Sequence, residues 1–136
     1  MYPEELVLPM KAELTNNGFE DLTTAEQVNE ALKKQGTTLV MVNSVCGCAA
    51  GAARPGVVHS LTGDKKPDQL VTVFAGFDTE AVAEARKHFA PFPPSSPSVA
   101  LFKDGELVHM LERHHIEGNP AGAIAANLQA AYEEYC

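Results

Sequence analysis

The run Thr37-Thr38-Leu39-Val40-Met41-Val42 leads through Asn43-Ser44-Val45 into Cys46-Gly47-Cys48, and then into Ala49-Ala50-Gly51-Ala52-Ala53. Its first six residues are rich in β-branched side chains and almost wholly apolar toward the end. That pattern suits a central strand covered on both faces, so layers are required above and below it. The small residues that follow suit a helix lying close against such a sheet. Between strand and helix stand two cysteines, whose thiols oxidise, bind metals and exchange disulfides. A helix amino end carries free N–H groups and a partial positive charge, which stabilise a thiolate. A redox site at the strand–helix junction is the working expectation.

The rest of the chain reads as scaffold. Residues 4–17 carry Leu6, Met10 and Leu14 at every fourth position and stop at Asn16-Asn17-Gly18, with Pro9 as a local inconsistency in the helix. Thr23-Thr24-Ala25-Glu26 reads as a capping box opening a helix with Val28 and Leu32 on one face. Pro55 is expected to bend or interrupt the helix after the cysteines. Leu70–Ala75 is a second apolar strand, and Asp78 caps a helix through Val82, Ala85, Arg86 and Phe89. Pro91–Pro97 forbids regular structure. Val99–Phe102 and Leu107–Met110 flank Lys103-Asp104-Gly105-Glu106, where Asp-Gly signals a hairpin. Asn119-Pro120 starts a last helix with Ile124, Leu128, Ala131 and Tyr135 facing inward.

A strand–helix–strand crossover is right-handed and makes a parallel pair. Adding the hairpin gives an α/β fold with a four-stranded mixed sheet flanked by helices, the thioredoxin arrangement, preceded by an extra N-terminal helical segment. The 136 residues carry no internal repeat or linker, so residues 1–136 are expected to be one domain. The net charge of −8 argues against nucleic acid or an anionic membrane as partner. No apolar run is long enough to span a membrane, and Met1-Tyr2-Pro3-Glu4-Glu5 lacks the features of a signal peptide, so a cytoplasmic location is expected. Three cysteines, an odd count, do not make a secreted disulfide framework.

Cys46 and Cys48 can pair only if the backbone between them bends enough to bring their Cα atoms within roughly 4.4–6.8 Å, and Gly47 is the residue expected to permit unusual φ values. A small ring of this kind favours exchange over strong reduction. Cys46, nearer the helix start, is the expected nucleophile, and Cys48 the resolving thiol. Two other readings stand beside this one. The pair could hold zinc or copper with His59, His109, His114 or His115 in a metal-binding or metal-delivery module, although no second cysteine pair completes four ligands. It could also sit in an adaptor that uses the neighbouring cleft only for binding. Arg54, two turns along the helix, is placed too far away to act on Cys46 directly and is given a surface or packing role.

Cys-Gly-Cys-Ala-Ala-Gly preceded by Val-Asn-Ser-Val, Val71–Gly76, Pro94–Ser98, Arg113-His114 with Ile116-Glu117-Gly118, and a terminal cysteine together resemble the bacilliredoxins over about Leu6 to Cys136. The resemblance implies a thioredoxin-like fold and a thiol–disulfide oxidoreductase that removes bacillithiol, or a similar small thiol, from mixed disulfides on cytosolic proteins, with weak disulfide isomerase activity. It implies Cys46 and Cys48 as catalytic residues and Ser96, Pro97 and Gly47 on the substrate side. Cys136, the last residue, reads by default as a mobile solvent thiol, because chain ends usually fray, with a partner thiol for another chain or an accessory redox thiol as the alternatives. The resemblance implies no cofactor and no metal. It also implies a cis peptide bond at Pro97, which would expose the backbone of Ser96 to an extended substrate and keep metals away from the thiols. Cys-X-Cys in place of Cys-X-X-Cys, with no preceding tryptophan, marks a departure from ordinary thioredoxin. For Arg113 and His114 the sequence offers no role.

Overall fold

The computed structural model describes every residue from Met1 to Cys136. Its elements in chain order are α1 (Glu4–Thr15), β1 (Glu20–Asp21), α2 (Ala25–Lys33), β2 (Thr37–Asn43), a π-helical turn (Ala49–Ala53) continuing into α3 (Arg54–Ser60), β3 (Gln69–Phe74), α4 (Thr79–His88), β4 (Ser98–Lys103), β5 (Glu106–Leu111), α5 (Arg113–Ile116) and α6 (Ala121–Tyr135). The sheet order is β1-β3-β2-β4-β5. β2 runs parallel to β3 and antiparallel to β4, and β4 pairs antiparallel with β5. The expected four strands are present. The fifth, β1, is a two-residue parallel addition to the edge at β3, with Glu20 opposite Val71. Two acidic residues carry no strand signal. Tertiary contacts hold this segment against the sheet: Phe19 and Leu22 are buried beside it, and the Leu22 N–H donates to the Thr72 carbonyl at 2.8 Å.

Every residue of β2 is buried, as its composition requires. Because side chains alternate across a strand, Leu39 and Met41 join Val99 and Leu101 on one face, beneath α1, the π turn with α3, and α6. Val40 and Val42 join Ala100 and Phe102 on the other, beneath α2 and α4. The hairpin turns at Asp104 and Gly105, with φ of 51° and 84°. Two positive φ values in succession are what Asp-Gly accommodates.

Several local readings need correction. The buried stripe of α1 is Val7, Lys11 and Leu14 instead of Leu6, Met10 and Leu14, because positions i, i+4 and i+7 share one face of a 3.6-residue helix, which leaves Leu6 to solvent. Pro9 stays inside α1, on its exposed side. Lys11 can be buried because Asp21 and Asp78 each place a carboxylate oxygen 2.7 Å from its Nζ. Asp78 is thus engaged by Lys11 and makes no side-chain cap on α4. The capping box of α2 joins Thr24 to Gln27, not to Glu26. Pro55 falls in the first turn of α3, where no helical N–H is needed, and the π turn before it absorbs the change of register. Pro120 is the N-cap of α6, and Tyr132 is buried more deeply than Tyr135.

Candidate active site

β2 delivers the chain to the site. At its end Asn43 is fully buried, and its carbonyl accepts the Ala75 N–H at 2.9 Å, continuing the β2–β3 pairing one residue past the strands. Three residues later the Cys46 carbonyl accepts the N–H groups of Ala49 (3.0 Å) and Ala50 (3.3 Å), so Cys46 caps the helix and Gly47 and Cys48 form its first turn. Two consequences follow. The Cys46 sulfur lies where unpaired amide donors and the helix dipole favour negative charge. The helical turn itself sets the Cα atoms of Cys46 and Cys48 5.5 Å apart, and their sulfurs are bonded. Gly47 therefore needs no unusual φ: it is not in the left-handed region, it is exposed, and a Cβ there would meet nothing within 4 Å.

The loop before Cys46 is held by a buried network. Arg54 is 2% exposed and donates through Nη1 to Asn43 Oδ1 (3.0 Å) and to the Ser44 carbonyl (2.8 Å). Its Nε lies 3.0 Å from Glu13 Oε1, an ion pair in which the N–H is not aimed at the oxygen. Asn43 Oδ1 also accepts the Ser44 N–H at 2.9 Å, and Ser44 Oγ accepts the Cys46 N–H at 3.3 Å. Arg54 thus reaches Cys46 through Ser44. Its role is internal packing, and the surface alternative is excluded. No sequence signal separates this arginine from a solvated one.

The facing wall is the proline loop. Ser96-Pro97 is cis, and so is Ala90-Pro91, which nothing in the sequence marks. The Ser96 N–H makes no hydrogen bond within the protein, but its carbonyl accepts from Arg113 Nη1 at 3.2 Å. The Ser96 backbone thus offers an incoming chain a free N–H and a carbonyl already engaged by one donor. Arg113 also donates its backbone N–H to Ser95 Oγ (3.3 Å) and its Nε–H to Glu117 Oε2 (2.8 Å). It begins the four-residue α5.

Between the walls lies a cleft of about 160 Å³, lined by Cys46, Ser44, Ser96, Arg113, Gly76 and Tyr2 among others. Tyr2 is the residue that sequence reasoning missed entirely. Its N–H donates to the Gly76 carbonyl at 3.4 Å, and its ring covers Gly76, where a Cβ would come within 2.6 Å of Cε2. Gly76 also has φ of +79°, so both its conformation and its neighbour call for glycine.

The remaining candidates lie elsewhere. Cys136 follows α6 and is exposed at the start of β2, near Thr37, the opposite end of the strand from Cys46. Partial burial pushes its thiol pKa up, and Asp68 acts in the same direction, against the Thr37 hydrogen bond and the charges of Lys103 and Lys65. None of His59, His109, His114 and His115 lines the Cys46 cleft. Glu112, His114 and His115 bring three ligand atoms within 4.8 Å of one another, but His115 Nδ1 already accepts the Glu112 N–H at 3.0 Å.

The disulphide isomerase family profile matches residues 2–136. A protein named bacilliredoxin from Cytophaga hutchinsonii is 60% identical over 134 residues, 98% of this chain and 99% of the relative. One from Bacillus cereus is 54% identical over 135 residues, 99% of this chain and 94% of the relative. Among solved structures, mitochondrial thioredoxin 3 of Saccharomyces cerevisiae in its oxidised form aligns with a TM-score of 0.61 at 15% identity, covering 90% of this chain and 98% of that one. Reduced thioredoxin of Schistosoma mansoni aligns with a TM-score of 0.59 at 18% identity, covering 85% and 96%. These likenesses establish the thioredoxin fold.

Proposed function

The chain belongs to the bacilliredoxin family, matched by the disulphide isomerase profile, and from that premise we propose that it removes bacillithiol, or a similar small thiol, from mixed disulfides on cytosolic proteins. The observation that carries the reading is the placement of Cys46 at the helix cap, facing the Ser96-Pro97 loop across a cleft sized for a small group.

In the reduced protein the Cys46 thiolate attacks the sulfur of the small thiol. A Cys46–small-thiol disulfide forms, the bond to the substrate protein breaks, and that protein's cysteine leaves as a thiolate that takes a proton from water. The number of disulfides is unchanged. The Cys48 thiolate, one helical step away, then attacks the Cys46 sulfur, forms the Cys46–Cys48 disulfide and expels the small thiol. An external dithiol or thiol reductant is needed to return the pair to its reduced form. Weak isomerisation of protein disulfides follows from the same chemistry when Cys46 attacks a protein–protein disulfide and Cys48 does not intervene. No helix is long and apolar enough to cross a membrane, and we place the activity in the cytoplasm because its substrates arise there.

The test uses a protein carrying a single bacillithiol-modified cysteine. Reduced wild-type protein should release the modified protein's free thiol. Cys48→Ser should accumulate the small-thiol adduct on Cys46, and Cys46→Ser should do neither. Full activity in both variants would overturn the assignment.

A further inference from the structure

Arg113 is the one charged side chain in the wall of the Cys46 cleft. Its side chain is 45% exposed, and of its five N–H donors Nε–H is directed at Glu117 and one Nη1 hydrogen at the Ser96 carbonyl. The Nη2 pair and the second Nη1 hydrogen have no partner within the protein. Unpaired guanidinium donors side by side match the two oxygens of a carboxylate. The competing carboxylate, Glu117, is 61% exposed, and exposed ion pairs of this kind hold weakly. The arginine is positioned from both ends, since its backbone N–H is also bound to Ser95 Oγ.

The same contact changes what the cleft can read. With Arg113 on the Ser96 carbonyl, an extended peptide pairing there shares that oxygen with the guanidinium, and the N–H is the one backbone group of Ser96 wholly free for the protein half of the substrate. The cleft, at about 160 Å³, is smaller than a typical drug-sized pocket of roughly 300–1,000 Å³ and suits one headgroup. Peptide pairing at Ser96 is weakened by this competition, and the free guanidinium donors are left for the small thiol.

We propose that Arg113 is the specificity-determining residue for the small-thiol half of the mixed disulfide, binding a carboxylate carried by the thiol that Cys46 takes. This deepens the function proposed above and rests on it. Tyr2 and Gly76 shape the other side of the cleft, and Glu117 sets how strongly Arg113 is available.

The experiment follows one single-cysteine protein prepared as three mixed disulfides, with 3-mercaptopropionate, 2-mercaptoethanol and cysteamine. Adduct formation on reduced Cys48→Ser protein is timed by quenched intact-mass spectrometry, with Arg113 native, Arg113→Gln or Glu117→Gln. A charge-assisted hydrogen bond predicts that the carboxylate-bearing thiol is taken roughly 10-fold faster than the neutral one, with cysteamine slowest. Arg113→Gln should bring the carboxylate-to-neutral ratio to about 1, and Glu117→Gln should raise it by freeing the guanidinium. A ratio left unchanged by Arg113→Gln overturns the assignment of Arg113 while leaving the Cys46 chemistry intact. Absence of an adduct from all three disulfides overturns the underlying reading of Cys46.

Discussion

Replacing Arg54 by methionine tests whether the network beneath the Ser44–Cys46 loop holds it in place. The substitution keeps the length and apolar stem of the side chain and removes three polar contacts: Asn43 Oδ1, the Ser44 carbonyl and Glu13 Oε1. Asn43 Oδ1 keeps the Ser44 N–H, and Glu13, half exposed, rehydrates, so the net loss centres on the buried Ser44 carbonyl. One such acceptor left without its charged donor costs about 2 kcal/mol, partly offset because a buried charge is removed as well. Glu13→Gln leaves the guanidinium buried with one carboxylate fewer. Breaking a fully buried pair costs about 3–5 kcal/mol, and the exposure of Glu13 reduces this to about 1–2 kcal/mol. Urea unfolding of the oxidised protein reads both: with m near 2 kcal/mol/M, the net loss of about 1 kcal/mol left after that offset should lower the Arg54→Met midpoint by about 0.5 M. Ser44 also receives the Cys46 N–H, so the reduced variant should show slower alkylation at Cys46. An unchanged midpoint together with an unchanged alkylation rate would refute the reasoning.

Three further outcomes follow from other parts of the structure. Burial pushes the Tyr132 phenol up from 10.0 to about 12, against the lowering effect of its Ser60 hydrogen bond. The neutral form is therefore favoured in the fold: its contribution is whole below pH 10 and is lost as pH rises toward 12, when the unfolded chain ionises first. Alkaline titration of stability should show up to roughly 3 kcal/mol lost in that window by the wild type and absent from Tyr132→Phe. Gly76→Ala places a side chain at φ of +79° and within 2.6 Å of the Tyr2 ring; calorimetry should show a loss of about 2–3 kcal/mol, partly recovered when Tyr2→Ala is added. The Cys136 thiol, raised by burial, should react with iodoacetamide at neutral pH at least roughly 10-fold more slowly than reduced Cys46, as peptide mapping would show.

The fold was legible wherever local chemistry and tertiary position agree. Thr37–Val42 is hydrophobic on both faces because both faces are covered, and Asp104-Gly105 turns where both residues take positive φ. The two cysteines lie at the helix start that the change from apolar to small residues marks. Legibility ended where partners distant in sequence decide. Lys11 is buried only because Asp21 and Asp78 converge on it, and the inward face of α1 takes Val7 and Lys11 in place of Leu6 and Met10 while keeping Leu14. Arg54 is buried only because Asn43, Ser44 and Glu13 meet it. Tyr2 and Arg113 enter the cleft from a chain end and a four-residue helix, neither of which carries a periodic pattern. Gly47 misled in the opposite direction: its freedom of conformation suggested a special backbone, while an ordinary helical turn already brings the cysteines together.

The most direct test of the central claim is the intact mass of reduced Cys48→Ser protein after incubation with a bacillithiol-modified protein, followed by peptide mapping. The account predicts one bacillithiol per chain, on Cys46. No adduct, or an adduct on Cys136 that persists when Cys46 is also replaced by serine, would contradict it.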